Sequence, residues 1–440
     1  MSTKVIIVRH GQSNFNHLKK IQGRCDLSVL TDKGHQDAIK VGESLSALKI
    51  DAFYCSPLQR AKMTAENIQA QLKNSPSFQT TELLLEINLP FWENLTKDDV
   101  KKNFAQEYGI WKEQPHLFNM EVEGSTYYPI LELYEQAKQF WQDILAKHEN
   151  ETVLVVGHNG INRCLIMAAS GISASHYHRI QQSNCCINIL NIDKSSVQLE
   201  SINQTAHLGV PLPPPRSAKG GVRLLLVRHG ETQWNRESRF QGIKDIPLND
   251  NGKVQANKAG EFLKNVKLNF AISSSLSRPK ETAEIILKHH PNINLELKNE
   301  LIEICHGLWE GKLEKEIESE WSELLKQWKI APETVQMPEG ENLDQVSLRA
   351  VKCWEEIVNK YKNSDQLLTG LVVAHDAINK VIACHILGLT SANIWQIKQG
   401  NGSVTVIDYL QEEGIPVLQA LNITSHFGTG ILDQTAAGAL

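Results

Sequence analysis

Two histidines, each directly after a short apolar run, are the residues of this sequence best suited to chemistry. His10 follows residues 4–8 and stands between Arg9 and Gly11, and the same Arg-His-Gly order occurs at His229. An imidazole is a competent nucleophile near neutral pH when its other nitrogen is held by a hydrogen bond. The arginine offers a fork of donors that matches phosphate oxygens, and the glycine lets the chain bend closely around an anion. On its own the tripeptide is a weak signal, because a histidine at a strand end is more often structural.

Other polar residues strengthen this signal because they recur in the same order in the second half of the chain. The recurring set comprises a second arginine (Arg60 and Arg278), a glutamate (Glu86 and Glu303), a second histidine (His158 and His375), an asparagine (Asn16 and Asn235) and a Gln-Gly pair (Gln22-Gly23 and Gln241-Gly242). The interval between the two members of each pair is almost constant. Such self-similarity indicates one fold that is present twice.

The repeat also predicts the domain organisation. A chain of 440 residues exceeds the ~250–300 residues that a single hydrophobic core usually holds. We expect an N-terminal domain over residues 1–210, a linker over 211–221, a C-terminal domain over 222–428 and a tail over 429–440. Three consecutive prolines and a glycine pair make the linker semi-rigid, and weak periodicity in the tail predicts a frayed end.

Within each copy, strand patterns alternate with helix patterns. In the first copy, residues 4–8, 52–55 and 152–156 are short strand-like runs, residues 32–48 have helical spacing, and a further helix starts near residue 58. This alternation predicts an α/β fold with three layers, in which a mostly parallel central sheet is covered by helices on both faces. Ligands bind at the carboxyl ends of the strands in such sheets. Both histidines of each copy follow directly on a strand.

Four motifs together resemble those of the histidine phosphatase superfamily, also called the phosphoglycerate mutase-like family. They are the RHG-x-S/T-x-x-N signature, a strand followed by Ser-x-x-x-Arg, a Leu-x-Glu acid and a late Gly/Ala-His. The resemblance covers about residues 1–207 and 222–427. It implies the phosphoglycerate mutase-like fold, present twice.

The resemblance also implies roles for the recurring residues. His229, and His10 in the first copy, would attack phosphorus and carry a phosphohistidine. Glu303 or Glu86 would protonate the leaving oxygen and then deprotonate the attacking water. The other polar residues would hold the phosphoryl group or the substrate: Arg228, Arg278, His375, Asn235, Gln241 and Gly242, with Arg9, Arg60, His158, Asn16, Gln22 and Gly23 as counterparts. Because arginines and histidines supply the positive charge, no metal and no cofactor are expected.

Several of these residue types have structural alternatives. Glu86 and Glu303 could instead be solvated loop carboxylates, although their fixed distance from the second arginine favours the catalytic role. The Trp-Glu pairs at residues 92–93 and 309–310 are interpreted as packing residues, and Cys185-Cys186 as core thiols in a strand. Three further histidines have no counterpart in the other half, and no role is assigned to them: His176, His178 and His306.

The segment between the acid and the second histidine bears on the reaction. No arginine lies between Arg60 and Arg163, or between Arg278 and Arg349. A bisphosphate intermediate needs a second cationic clamp, so this pattern favours a phosphatase over a phosphoglycerate mutase, which remains the alternative. A small phosphorylated metabolite is the expected substrate. Phosphoserine-like compounds, sugar or nucleoside monophosphates and phosphoproteins all fit the sequence.

The two copies are not equal. The first has Gln12 in place of Glu231 and Pro90 in place of Gly307, whereas its phosphoryl-transfer residues are retained. We therefore predict that the second half is a competent phosphatase. The first half is then a catalyst with another substrate, a slower catalyst, or a phosphate-binding regulatory domain.

Composition excludes several other classes of protein. Hydrophobic residues make up 41% and charged residues 22% of the chain, as is typical of globular proteins. The formal net charge of −5 favours neither nucleic acid nor an anionic membrane as a partner. No apolar run approaches the ~18–20 residues of a membrane helix, and the eight cysteines lack zinc-site spacing. These features predict a cytoplasmic protein with reduced thiols and leave its oligomeric state open.

Overall fold

The computed structural model describes residues 2–194, 196–217, 219–428 and 430–435. The chain forms two compact units, and the boundary between them lies between Pro213 and Pro214. Each unit contains one copy of the repeat.

The N-terminal unit alternates strands with helices. Its strands are β1 (Thr3–Arg9), β2 (Ala52–Cys55), β3 (Gln79–Thr80), β4 (Met120–Val122), β5 (Ser125–Tyr127), β6 (Thr152–Gly157), β7 (Ile187–Ile192) and β8 (Val197–Gln204). Its helices are α1 (Asn14–His17), α2 (Asp32–Leu45), α3 (Gln59–Gln69), α4 (Lys97–Asn103), α5 (Ala105–Glu113), α6 (Pro129–Leu145) and α7 (Asn159–Ser170). The sheet order is β8-β7-β1-β6-β2-β3, and β4 with β5 forms a separate hairpin.

The C-terminal unit repeats this plan. Its strands are β9 (Gly221–Arg228), β10 (Phe270–Ser274), β11 (Leu295–Lys298), β12 (Leu367–Ala374), β13 (Val404–Leu410) and β14 (Pro416–Ile423). Its helices are α8 (Gln233–Glu237), α9 (Asp250–Leu263), α10 (Ser277–Leu287), α11 (Glu314–Ile330), α12 (Leu343–Tyr361) and α13 (Asp376–Leu387). The sheet order is β11-β10-β12-β9-β13-β14.

Both sheets are mostly parallel, as predicted. In the first, β1 pairs with β6, β6 with β2 and β2 with β3 in parallel, whereas the pairings through β7 are antiparallel. In the second, the pairings of β9, β12, β10 and β11 are parallel and those through β13 antiparallel. Helices pack around each sheet, with α2 against α3 and α6 against α7. The central parallel strands β1, β6, β9 and β12 are largely apolar because both of their faces are buried.

The register of the parallel strands creates the site. Arg9 at the end of β1 lies opposite Gly157 at the end of β6, and Cys55 at the end of β2 lies opposite Val156. Parallel strands bring their carboxyl ends to one edge of the sheet. The residues that follow these strands, His10, His158 and Ser56, therefore meet there.

Four local expectations need correction. The first long helix ends at Leu45 rather than at residue 48, and Gly221, assigned to the linker, is the first residue of β9. Cys185 and Cys186 are buried thiols but precede β7 rather than lying in a strand, and Cys185 has a positive φ of 54°. The predicted frayed tail is anchored by the buried side chain of Asp433, which accepts a hydrogen bond from Asn422 Nδ2 at 3.2 Å. Residues 429 and 436–440 of that tail lie outside the described residues.

Candidate active site

Each candidate nucleophile is a buried histidine held by its own loop. His10 Nδ1 lies 2.7 Å from the carbonyl oxygen of Gly11, and His229 Nδ1 lies 2.7 Å from that of Gly230. A carbonyl only accepts, so Nδ1 carries the proton and donates it, which leaves the lone pair on Nε2. Burial, followed by the nearby Arg278 and Arg228 guanidinium groups, holds the pKa of His229 well below that of a free imidazole. Both conditions suit a nucleophilic nitrogen at neutral pH.

The glycine of the Arg-His-Gly motif is required by close packing. A Cβ at Gly11 would lie 2.5 Å from the carbonyl oxygen of Gly34, and one at Gly230 would lie 2.3 Å from that of Gly252. The backbone N–H groups of these glycines donate to Thr64 and Thr282, the threonines of the Thr-Ala pairs that recur after the second arginine. The loop is therefore held between two helices, the first turn of α2 or α9 on one side and the middle of α3 or α10 on the other.

The second arginine of each copy is buried and held by backbone carbonyls. Arg278 Nη2 donates to Gly242 O at 2.8 Å and Nη1 to Lys244 O at 2.8 Å, while its Nε lies 3.3 Å from His229 Nε2. Arg60 donates in the same way to Gly23 O and Cys25 O. The Gln-Gly loops thus position the guanidinium groups, which have less rotational freedom to lose when they bind an anion.

The first arginine is held differently in the two copies. Arg9 Nη1 donates to Gln182 O at 2.7 Å, and Arg228 Nη1 donates to the equivalent Gln399 O. Among the described residues, Arg228 also has a carboxylate partner and Arg9 does not, because Asp376 Oδ1 lies 3.2 Å from Arg228 Nη1. At the position of Asp376 the first copy has Asn159.

The ring of the second histidine in each copy packs against the ring of the first. The ring centroids of His10 and His158 are 5.1 Å apart, and those of His229 and His375 are 5.2 Å apart. His375 Nε2 lies 2.8 Å from Ser274 Oγ, while Nδ1 has no hydrogen-bond partner among the described residues. His158 has the same arrangement with Ser56 at 2.7 Å. A buried polar atom without a partner is costly, so these nitrogens are suited to binding a ligand oxygen.

The two glutamates are buried against the starts of helices, which excludes the alternative of solvated loop carboxylates. Glu86 is 7% exposed and accepts hydrogen bonds from the backbone N–H groups of Ile87, Gly160 and Ile161. Glu303 is 5% exposed and accepts from Ile304 at 3.0 Å and Ala377 at 3.4 Å. Burial, followed by the charge of Asp376, raises the pKa of Glu303. A carboxyl group with a raised pKa is suited to proton donation.

The predicted substrate-binding residues line the same cavities. The cavity of the first copy is bordered by Asn16, Gln22 and Gly23 together with Arg9, His10, Arg60 and Glu86. That of the second is bordered by Asn235, Gln241 and Gly242 together with Arg228, His229, Arg278 and Glu303. The second histidines do not line them and are fully buried. In both copies the asparagine and glutamine oxygens accept hydrogen bonds from neighbouring Ser or Thr groups, which leaves the amide N–H₂ groups for a substrate.

Sequence reasoning missed the residues that position these groups. Ser56 and Ser274 are the serines of the Ser-x-x-x-Arg motif, but their sequence context does not indicate that they contact the second histidine. Asn184 Nδ2 donates to His10 O at 3.0 Å, and Asn401 Nδ2 donates to His229 O at 3.2 Å. Arg349 of the second copy donates to the carbonyl oxygens of Ile302 and Glu303, and in the first copy Gln136 and Arg24 bind the equivalent backbone around Glu86. The serine and asparagine pairs could have been found from their recurrence, whereas the exchange of Arg349 for Arg24 leaves no trace in the repeat.

The cavities differ greatly in size. The first has a volume of about 330 Å³ and the second about 10 Å³. In the second copy Phe240 and His306 occupy the positions of Ile21 and Leu89, and their rings pack edge to face with centroids 5.2 Å apart. His306, to which the sequence assigned no role, is thus a wall of the second cavity.

The Trp-Glu pairs are structural, as interpreted. Trp92 is 1% exposed and Trp309 is fully buried. Glu93 accepts a hydrogen bond from Arg24 N at 2.6 Å, and Glu310 accepts one from Ile243 N at 2.9 Å. These carboxylates fix the Gln-Gly loops by hydrogen bonds, and the backbone carbonyl groups of the same loops accept hydrogen bonds from the second arginine of each copy.

Two features are absent from the described residues. In that part of the chain, no group of three or more His, Cys, Asp or Glu side chains is arranged to hold a metal ion. Nor does any helix there have the length and apolar character needed to cross a membrane.

The chain is similar in sequence to several known proteins. A 2-carboxy-D-arabinitol-1-phosphatase from Triticum aestivum is 29% identical over 450 residues, which cover 97% of this chain and 86% of that protein. Phosphoserine phosphatase 1 from Hydrogenobacter thermophilus is 33% identical over 207 residues, 47% of this chain and 95% of that protein. A crystal structure of phosphoserine phosphatase from Entamoeba histolytica, in complex with 3-phosphoglyceric acid, is 27% identical and covers 47% of this chain and 98% of that chain, with a TM-score of 0.41.

The family assignment rests on both copies. The model of the histidine phosphatase superfamily (branch 1) matches residues 5–205 and residues 224–424. These two matches cover nearly all of each repeat and include every recurring polar residue described above. The resemblance inferred from the motifs is therefore confirmed, and the chain, a phosphoric monoester hydrolase, belongs to the histidine phosphatase superfamily.

Proposed function

We propose that each half hydrolyses small phosphomonoesters through a phosphohistidine, with Nε2 of His229 or His10 as the attacking atom. The observation that carries this proposal is the anchoring of Nδ1 on the glycine carbonyl at 2.7 Å in both copies. It aims a neutral Nε2 at the cavity and stabilises the imidazole as its other nitrogen becomes bonded to phosphorus.

The charge of the transferring phosphoryl group is met by fixed donors. In the second copy these are Arg228, Arg278 and Nδ1 of His375, and in the first copy their counterparts. Two buried guanidinium groups, already held by backbone carbonyls, need little reorganisation when charge develops on the phosphoryl oxygens. They do the work that a metal ion does in other phosphoryl-transfer enzymes, so the reaction needs no metal.

The glutamate completes the reaction. Glu303 or Glu86 gives its proton to the leaving oxygen in the first step and takes one from the attacking water in the second. Burial and the raised pKa of Glu303 favour the protonated form that the first step requires.

We further propose that the halves are separate catalytic domains, residues 1–210 and 222–428, and that the substrate is a sugar-derived monophosphate. Support comes from the Triticum aestivum 2-carboxy-D-arabinitol-1-phosphatase, whose similarity extends over both copies. The shorter phosphoserine phosphatase matches about half of the chain. Phosphoserine-like and nucleoside monophosphates are the competing substrate classes.

The test is phosphate release from 4-nitrophenyl phosphate in excess EDTA by full-length chains. We expect His229→Ala to retain part of the activity and the double variant His10→Ala/His229→Ala to retain none. Brief reaction with ³²P-labelled substrate and quenching in alkali should trap an acid-labile, alkali-stable label that the double variant lacks. Activity that survives both substitutions contradicts the mechanism. A requirement for a bisphosphoglycerate primer, with product isomerisation instead of phosphate release, would indicate a mutase.

A further inference from the structure

The two copies differ in charge at the start of the helix that follows the second histidine. In the second copy Asp376 Oδ2 pairs with Lys380 Nζ at 2.7 Å and Oδ1 with Arg228 at 3.2 Å. The first copy has Asn159 and Arg163 at the positions of Asp376 and Lys380. The carboxylate that neutralises this wall of the second site is therefore replaced in the first by an uncharged amide, while the cation, now a guanidinium group, is kept.

Arg163 borders the first cavity and is held there by an aromatic ring. The residue is 5% exposed, its guanidinium carbon lies 5.1 Å from the ring centroid of Tyr177, and both residues line the cavity. Its Nε has no hydrogen-bond partner among the described residues. Among the described residues, no carboxylate forms an ion pair with Arg163. A buried arginine is rarely left without an anion, so this group is suited to binding one from a ligand.

The entrance of the first cavity carries further positive charge. Lys19, Lys20 and Lys97 line it, and within the described residues none of the three forms an ion pair with a carboxylate. Their counterparts in the second copy are a serine, Arg239, which pairs with Glu237 at 2.7 Å, and a glutamate, residue 314. A concave surface of one sign raises the local concentration of ligands of the opposite sign.

Only the first cavity has room for a substrate with a second group. Its volume is about 330 Å³, and the aromatic rings of Tyr108, Trp111 and Tyr177 form part of its wall. Leu325 and Ile394 replace the two tyrosines in the second copy, where His306 lines a cavity of only about 10 Å³. The two sites are therefore built for different leaving groups.

We propose that the N-terminal site selects phosphomonoesters whose leaving group carries a second anionic group, and that Arg163 binds this group. The C-terminal site, whose corresponding cation is already paired with Asp376, makes no such selection. This inference rests on the proposed function of the same site. It assigns the two copies different substrate ranges rather than duplicate activity.

The test compares 4-carboxyphenyl phosphate with its neutral isostere 4-carbamoylphenyl phosphate, in the full-length chain carrying His229→Ala. We expect kcat/KM to favour the carboxylate, and the additional change Arg163→Met to lower the ratio of the two values about 10- to 100-fold, the loss of a charge-assisted hydrogen bond. Arg163→Lys should restore part of the ratio, because it returns the charge without the fork. Lys138→Met, which removes a positive charge outside the cavity, should keep the ratio of the parent.

Each alternative outcome has a distinct meaning. An equal loss on both substrates in Arg163→Met, with an unchanged melting temperature, would place Arg163 on the phosphoryl group and overturn the inference. A His229→Ala chain inactive on both substrates, beside an active His10→Ala chain, would also overturn it and leave the phosphatase function standing. A preference for the carboxylate in the His10→Ala chain equal to that in the His229→Ala chain would contradict the difference between the copies. Absence of phosphate release from the unaltered chain would refute the proposed function itself.

Discussion

Replacing Ser274 with alanine tests whether the second histidine acts through a fixed tautomer. Ser274 Oγ is approached by the backbone N–H of Leu276 at 3.5 Å and lies 2.8 Å from His375 Nε2. Burial, followed by the charge of Arg278, holds the pKa of His375 well below the usual value, so the ring is neutral at pH 7. A neutral ring that accepts the serine proton at Nε2 must carry its own proton on Nδ1. That N–H is the donor available to a phosphoryl oxygen.

Without the hydroxyl group, nothing holds the proton on Nδ1. Removing one partner of a buried hydrogen bond costs about 1–3 kcal/mol, which corresponds to a roughly 5- to 150-fold loss in rate if the bond acts in the transition state. We expect Ser274→Ala to lower kcat/KM for 4-nitrophenyl phosphate by this factor. The measurement uses the His10→Ala background, in which only the C-terminal site contributes.

Ser273→Ala is the matched control. Both serines are fully buried at the end of β10, but Ser273 Oγ donates to a backbone carbonyl, that of Ser274, at 3.0 Å. The two substitutions should therefore lower the melting temperature to a similar extent, whereas only Ser274→Ala should reduce turnover. A loss below twofold in Ser274→Ala, or an equal loss in Ser273→Ala, would refute the tautomer argument.

Three further predictions follow from the same geometry. Glu303→Gln should reduce kcat at the C-terminal site far more for an alkyl phosphate than for 4-nitrophenyl phosphate, whose leaving group needs no proton; equal losses would remove Glu303 as the acid. Gly242→Ala should lower the free energy of unfolding by about 1–3 kcal/mol in urea titrations, since Gly242 has φ +56° and the added Cβ would meet Glu310 Oε1. An unchanged midpoint of urea unfolding would contradict this. The melting temperature should fall as the pH drops below about 6.5, because the four buried histidines have lowered pKa values in the folded chain and bind protons only when it unfolds. Each histidine can lower the free energy of unfolding by up to about 1.4 kcal/mol per pH unit. A flat profile from pH 7 to 5 would show that these histidines titrate normally.

The positions of the main strands, and of most of the polar residues that border the two cavities, could be predicted from the sequence. The apolar β-branched runs at residues 4–8 and 152–156 lie in strands, and the repeat allowed each assignment to be checked against a second copy. The exact ends were less predictable. The helix expected to reach residue 48 ends at Leu45, because the last turn is closed by backbone hydrogen bonds that leave no periodic signal in the sequence. The anchoring of the tail by Asp433 depends on its burial beside Asn422, which no local pattern encodes.

The sequence by itself determined the family, the duplication and the set of polar residues that recurs in both copies, because those depend on residue type and order along the chain. The tertiary structure decided which groups support them and how the two sites differ. Asp376 meets Arg228 only because β9 and β12 pair side by side in the sheet, which brings together the residues at their carboxyl ends. The volumes of the two cavities, about 330 and 10 Å³, depend on side chains from distant segments meeting at one sheet edge. Distances of this kind arise from packing in three dimensions, so spacing along the chain cannot specify them.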